Sequence, residues 1–329
     1  MNYNFEQALR MIKECFGPDL WHIYHEDRDT EDIILNPDGK IWVNSIHGKT
    51  DSGLRLKPND ALTILSTIAS LNHQTLTRNN PKLSAIIPGR RARIEGWIAP
   101  ATPNPSFVIR IPSLKFFSLE QYVQSGTLTA RQAELIQYNV ERRKNILVVG
   151  STGSGKTTLA NAIIDKMTPF GHRIITIEDV YELRCVAPDT LSMLVERGTS
   201  FDFRAAVFSA MRGLPDRIVV GELRDGEAAH ELLKAWNTGH NGGLATIHAN
   251  SAKSALPRLE SLLAERDGHT PRDLIAEAID LVIFIRRLGP NHPSGLTRCV
   301  EDVATLFDDL DEQGRYQFNH RWHDLVEPR

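Results

Sequence analysis

Apolar residues along the first third of the chain recur with two different periods. In FEQALRMIKECF, Phe5, Leu9, Ile12 and Phe16 share one face at helical spacing, which predicts a short amphipathic helix. EDIILNPDGKIWVNS holds two apolar runs split by Asn36-Pro37-Asp38-Gly39, a β-hairpin signal. KPNDALTILSTIASLNHQ returns to helical spacing through Leu62, Leu65, Ile68, Ala69 and Leu71, and RARIEGWIA and FVIRI read as strands flanking the proline-rich PATPNPS. These elements predict a small α+β domain over residues 1–112. SLEQYVQSGTLTARQAELIQYNVERRKN, which follows it, reads as helix, turn and helix.

From Asn145 the pattern changes to short, solidly apolar runs alternating with helical stretches. The runs are NILVVG, RIITIED, RIVVGE, GLATIHA and DLVIFIRR, separated by KTTLANAIIDKM, DFRAAVFSAMR, GEAAHELLKAW and AKSALPRLESLLAER. Strands without polar alternation are buried on both faces, so this order predicts a mostly parallel sheet between helices over residues 113–329, an α/β domain. The last forty or so residues read as two closing strands with a turn near Glu312-Gln313-Gly314.

Composition narrows the function classes. With 41% hydrophobic and 24% charged residues in 329, the chain has the make-up of a folded protein. Its formal net charge of −3 gives no global footprint for nucleic acid, so no direct sequence-specific nucleic-acid binding is expected. Cys15, Cys185 and Cys299 are too dispersed for a disulfide framework or a CxxC metal site, and a reducing cytoplasm fits them. The N-terminus lacks a signal-peptide core, and no run approaches the ~18 apolar residues of a membrane span, so any membrane association is expected to be peripheral.

The candidate chemistry centres on GSTGSGKTT at positions 150–158. Gly150, Gly155, Lys156 and Thr157 satisfy G-x-x-x-x-G-K-[ST] between a predicted strand and a predicted helix. Glycines there let backbone N–H groups turn inward around the phosphates of ATP at the positive end of the helix. The expected nucleotide-binding residues are therefore Gly150, Ser151, Thr152, Gly153, Ser154, Gly155, Lys156, Thr157 and Thr158. Lys156 would neutralise phosphate charge, and Thr157 would offer its hydroxyl to Mg²⁺. A second metal acid belongs at the end of a neighbouring strand, where RIVVGE supplies Glu222. RIITIED ends in Glu178 and Asp179, and Glu178 is the favoured base for the attacking water. GGLATIHANSA puts Thr246 and His248 at another strand end, where His248 could sense the γ-phosphate. Arginines that stabilise transferring phosphate could come from Arg90, Arg91, Arg93, Arg110, Arg212 or Arg217, with Arg93 and Arg110 the first choices.

The order GSTGSGKTT, ITIEDVYEL, PDRIVVGELRDGEA, TGHNGGLATIHANSA resembles the secretion traffic ATPases of type II and type IV secretion systems, whose Walker A, Asp box, Walker B and His box run in this order. RDGEAAHELLKAWNTGHNGGLATIHANSA is most similar to the conjugal-transfer branch. The resemblance implies a homohexameric ring, a PAS-like N-terminal domain and a RecA-like C-terminal domain with ATP between them. It also implies a place at the cytoplasmic face of the inner membrane, where membrane components of a secretion or conjugation channel would be partners. On the same grounds Lys156, Thr157, Glu178, Glu222 and His248 take the catalytic and binding roles, and Arg93 and Arg110 stand where N-terminal arginines reach the nucleotide. Three dispersed cysteines cannot build the four-cysteine zinc module common in the pilus-assembly branch.

The leading expectation is ATP hydrolysis that powers pilus assembly or substrate transfer in conjugation. Three alternatives stay open: a pilus retraction motor, a ring scaffold gated by nucleotide with little turnover, and a DNA translocase.

Overall fold

The computed structural model describes residues 2–45, 48–87, 90, 92–112, 116–195, 199–268, 270–289 and 292–319. Arg91, one of the candidate arginines, lies outside them. The chain divides into two compact units, Met1–Lys115 and Phe116–Arg329.

The first unit starts with α1 (Asn2–His25), which continues past the predicted helix across a break at Gly17, φ 70°, and Pro18. Glycine tolerates the positive φ and proline can begin a new turn, so Leu20 and Tyr24 join Ile12 and Phe16 in one core. The strands are β1 (Thr30–Leu35), β2 (Lys40–Ser45), β3 (Gly48–Arg55), β4 (Lys82–Ile87), β5 (Ala92–Trp97) and β6 (Ser106–Arg110), with α2 (Pro58–Leu71) between β3 and β4. They form an antiparallel sheet in the order β3-β2-β1-β6-β5-β4. The expected hairpin is β1–β2, with Leu35 opposite Ile41 and Gly39 at φ 81° in the turn. β3 is absent from the sequence reading because GKTDSGLR carries one large apolar residue; β4 is absent from it as well, although KLSAII turns Leu83, Ala85 and Ile87 inward between Asn80-Pro81 and Pro88-Gly89. Ile64, Leu65 and Ile68 of α2 pack on the sheet, and Leu65 lies so close to Gly96 that a Cβ there would stand 2.3 Å from its Cδ2.

The second unit holds α3 (Leu119–Gln124), α4 (Ala130–Glu141), β7 (Ile146–Gly150), α5 (Lys156–Met167), β8 (Ile174–Glu178), β9 (Thr190–Leu194), α6 (Phe203–Arg212), β10 (Arg217–Val220), α7 (Gly226–Asn237), β11 (Leu244–His248), α8 (Ala252–Asp267), α9 (Arg272–Ala278), β12 (Leu281–Arg287), β13 (Arg298–Leu310) and β14 (Tyr316–Asn319). Its sheet runs β14-β13-β12-β7-β11-β10-β8-β9. β12 to β9 are parallel, and β13 and β14 add antiparallel to one side. Two buried clusters, one on each face, cover the central strands; Val149 and Ile247 belong to one, Val148 and Ile283 to the other. Residues 298–319 are the two expected closing strands, joined by a turn in which Gly314 N donates to Asp311 O. The fold is thus a RecA-like P-loop α/β domain with a smaller α+β unit before it. Among the described residues no helix is long and apolar enough to cross a membrane.

Candidate functional site

Because β7, β8, β10 and β11 run parallel, their C-terminal ends share one edge of the sheet. The register sets His248 opposite Gly150, so the end of β11 meets the start of the loop 150–158. Gly150 is an obligate glycine: a Cβ there would stand 2.4 Å from both Ile285 O and Ser154 Oγ. Gly153 and Gly155 have φ of 70° and 96°, left-handed values, and Gly155 caps α5 in that conformation. Ser154 N donates to Ser151 O at 3.2 Å, and the loop turns into the helix with amides on either side of it left to face an anion.

Lys156 is only 6% exposed. Its Nζ donates to Ser151 O at 3.2 Å and lies 3.0 Å from His248 Nδ1. An ammonium has only donors, so Nδ1 accepts and the imidazole proton sits on Nε2. His248 Nε2 in turn lies 2.9 Å from Glu222 Oε1, so lysine, histidine and carboxylate line up by proximity, although that oxygen accepts no hydrogen bond among the described residues. Burial pulls the Lys156 pKa down to about 8, against the raising influence of Glu222 and Glu182. Burial also lowers the pKa of His248, reinforced by the Lys156 charge, so the ring is neutral at pH 7. Burial alone would raise the pKa of the Glu222 carboxyl, but the Arg224 hydrogen bond and the charges of Arg224 and Lys156 hold it below its usual value. A buried lysine whose nearest strong acceptor is a neutral imidazole suits a phosphate ligand better than it suits itself.

The acids at the strand ends make distinct contacts. Glu178 is 3% exposed, and its Oε1 accepts from the amides of Glu182 and Leu183, each at 2.7 Å. It thereby ties down the loop after β8. Asn161 of α5 holds the same loop from the other side, donating to Glu182 O at 2.9 Å and accepting from Arg184 N at 2.8 Å. The side chain so presented is Glu182, whose Oε2 accepts from Thr157 Oγ1 at 3.0 Å. Arg224 spans two strand ends, donating to Asp179 Oδ2 at 3.0 Å and to Glu222 Oε2 at 2.7 Å. Thr246 is structural in its contacts, its hydroxyl donating to Gly221 O at 2.7 Å between β11 and β10.

Four residues absent from the sequence reading thus join the site. Glu182 and Arg224 stand inside motifs already quoted, four and two residues beyond Glu178 and Glu222. Arg298 has no local signal; it comes from β13 to donate to Gly153 O from Nε and Nη2, each at 3.4 Å. Arg258 of α8 lines a cavity of about 370 Å³ together with Ser151, Thr152, His248, Asn250 and Ser254. Thr158 continues α5, partly buried behind Thr157. Ser154 is fully buried, with no partner for its Oγ among the described residues.

Of the candidate arginines, Arg217 is no surface charge. It is 0% exposed, donating from Nη1 to Gly242 O at 3.0 Å, from Nη2 to Val140 O at 2.9 Å and from Nε to His172 Nδ1 at 2.9 Å. It opens β10, at the strand end opposite Glu222, and so braces the fold. Arg212 is exposed at the end of α6. In the first unit, Arg93 and Arg110 are exposed and directly opposite each other on β5 and β6, and Arg110 Nε lies 3.8 Å from Asp32 Oδ1. Like charges facing across a sheet repel, which suits a pair that meets an anion.

Residues 61–317 match the type II/IV secretion system protein family. The chain is 39% identical to a probable conjugal transfer protein TrbB of Sinorhizobium fredii, an alignment covering 94% of this chain and 93% of that protein. It is 32% identical to the type IV secretion system protein VirB11 of Bartonella quintana, over 80% of this chain and 86% of that one. Among solved structures, the pilus retraction motor PilT with bound ADP superposes with a TM-score of 0.61 at 21% identity, covering 90% of this chain and 81% of PilT, a likeness of fold. A phosphate loop on this fold, with these relatives, makes the chain a member of the type II/IV secretion system protein family and an ATPase.

Proposed function

We propose that the chain is the motor ATPase of a conjugative type IV secretion system, working as a homohexameric ring at the cytoplasmic face of the inner membrane with the channel's membrane components as partners. The observation that carries the catalytic reading is the chain Lys156–His248–Glu222 across the mouth of the glycine loop. Relatives at 39% and 32% identity, described as conjugal transfer and type IV secretion proteins, support the process.

In this reading the loop amides and Lys156 bind the phosphates of ATP. The Thr157 hydroxyl and Glu182, 3.0 Å apart, would hold Mg²⁺. The ion would neutralise charge on the phosphates. No cluster of three metal-ligating side chains is needed for an ion that also takes phosphate oxygens and water, and none occurs among the described residues. Glu222, kept ionised by Arg224, orients the attacking water, with its other oxygen near His248. Glu178 positions Glu182 rather than touching the reactants, a different assignment from the one the motif alone suggests. His248 loses its lysine partner when Lys156 turns to the γ-phosphate, and so reports whether that phosphate is present. Arg93 and Arg110, exposed opposite each other on β5 and β6, are the arginines offered to a transferring phosphate. The six-fold ring is proposed on the family resemblance, and electron microscopy of the purified protein with ATP tests it.

Lys156→Ala tests the catalytic reading. It should abolish phosphate release while circular dichroism stays unchanged, and full turnover in that variant would end the proposal. A conjugation assay with the gene deleted and complemented tests the process: unaltered transfer without the gene would refute it.

A further inference from the structure

The break at Gly17 and Pro18 folds α1 back on itself and leaves, in the first unit, a second cavity of about 370 Å³ that the ATP site does not use. Leu9, Arg10 and Lys13 line it from before the break, Trp21, Tyr24 and His25 from after it, with the His25 ring stacked on Trp21 at 5.3 Å between centroids, and Arg90 closes it. Three cations therefore converge on one hollow that no carboxylate lines. Arg10 and Lys13 form no ion pair among the described residues. Lys13 Nζ instead lies over the Trp21 ring, 5.6 Å from its centroid. Arg90 donates from Nη1 to Tyr24 O, with its guanidinium 5.8 Å from the Tyr24 ring centroid. Tyr24 is 1% exposed, yet its Oη has no hydrogen-bond partner among the described residues.

Like charges held together in a hollow repel, and an anion among them turns that cost into attraction. Flat rings stack on other π systems, and the cations on them add to the attraction. The volume is that of a small-molecule pocket. A lipid surface fits poorly, since residues 2–29 carry six acids, Glu6, Glu14, Asp19, Glu26, Asp27 and Asp29, against the three bases Arg10, Lys13 and Arg28. An anionic bilayer would be repelled by that surround, whereas a single small anion meets only the three cations.

We propose that this hollow binds a small aromatic anion of the nucleoside monophosphate class, its phosphate among Arg10, Lys13 and Arg90 and its base against Trp21. The site is separate from the loop 150–158, and it stands or falls independently of the proposed function. A monophosphate lacks the further phosphates that the glycine loop wraps, which lets the two sites be told apart.

The experiment is equilibrium dialysis of the full chain against radiolabelled GMP and, separately, AMP, with ADP saturating the phosphate loop. One additional site per chain is expected for at least one of the two. Arg10→Gln combined with Lys13→Gln should weaken it about tenfold or more, as should Trp21→Leu, whereas Lys156→Ala should leave it unchanged. Arg10 and Lys13 are exposed, so their loss spares the core, and unchanged ATP turnover checks this. No additional site for either nucleotide at millimolar concentration overturns the proposal, as does a site that survives both sets of substitutions. Sedimentation with phosphatidylglycerol vesicles that depends on Arg10 and Lys13, with no monophosphate bound, assigns the hollow to lipid and equally overturns it.

Discussion

Lys156 carries a prediction that can be worked through to a number. Its pKa lies near 8 instead of 10.5, because burial of the ammonium, helped by the Arg224 charge, outweighs the attraction of Glu222 and Glu182. A phosphate placed beside it favours the charged form, so the bound pKa rises well above 8. At pH 8 about half of the free molecules then carry a neutral Lys156, and binding ADP should take up ~0.5 proton per site. At pH 6.5 the lysine is already charged and its share of the uptake should fall close to zero. Neither neighbour blurs the effect at pH 8: His248 titrates below its ordinary value and Glu222 is ionised throughout. The phosphate itself, with a second pKa of ~6, is fully ionised there. Isothermal titration calorimetry in buffers of different ionisation enthalpy reads the proton count directly. Lys156→Arg keeps the charge but does not titrate, so its uptake at pH 8 should vanish. No uptake by the wild type at pH 8, or equal uptake by Lys156→Arg, would refute the account of a strained lysine. The sign carries over to folding: with a depressed pKa, the fold gains stability as pH rises from about 8 to 10.5. The bare conversion gives ~3 kcal/mol, of which water at the loop mouth screens part.

Glu178→Ala should destabilise the protein by ~1–3 kcal/mol in urea unfolding by stranding the amides of Glu182 and Leu183, whereas Glu182→Gln should leave stability unchanged and cut turnover. The opposite pattern would return the catalytic role to Glu178. Gly150→Ala should cost ~1–3 kcal/mol through contacts at 2.4 Å with Ile285 O and Ser154 Oγ, and nucleotide binding should go with it. Arg258→Gln should weaken a non-hydrolysable ATP analogue about tenfold while sparing ADP, because Arg258 lines the same cavity as Thr152 and as His248, the residue proposed to sense the γ-phosphate. Equal effects on both nucleotides would remove it from that role.

Local pattern carried the second unit almost whole. NILVVG followed by GSTGSGKTT and LANAIIDKM specifies a buried strand, a phosphate loop and a helix within two dozen residues, since backbone freedom, charge and periodicity all act over that span. The parallel edge followed from counting apolar runs, and with it the meeting of Lys156, Glu222 and His248. The family and its ATPase character were legible at the same level, in four motifs in order. The first unit was harder to read. The helix past Gly17 and the strand β3 lack clean periodicity, and they form because the sheet and α2 bury what apolar surface they carry.

What only the tertiary structure decided is which carboxylate faces which partner. Glu178 and Glu182 are four residues apart in one motif, and pattern alone cannot tell the side chain that receives two backbone amides from the one that receives the Thr157 hydroxyl. Arg217 reads as a surface charge in AMRGLPDRI, yet it is buried because carbonyls from α4 and the 242 turn converge on it from 77 and 25 residues away. Arg298 reaches Gly153 across 145 residues. Sequence determines what can be done by groups that are neighbours along the chain; a hydrogen bond between distant segments depends on where packing has carried both ends, and no local periodicity records that.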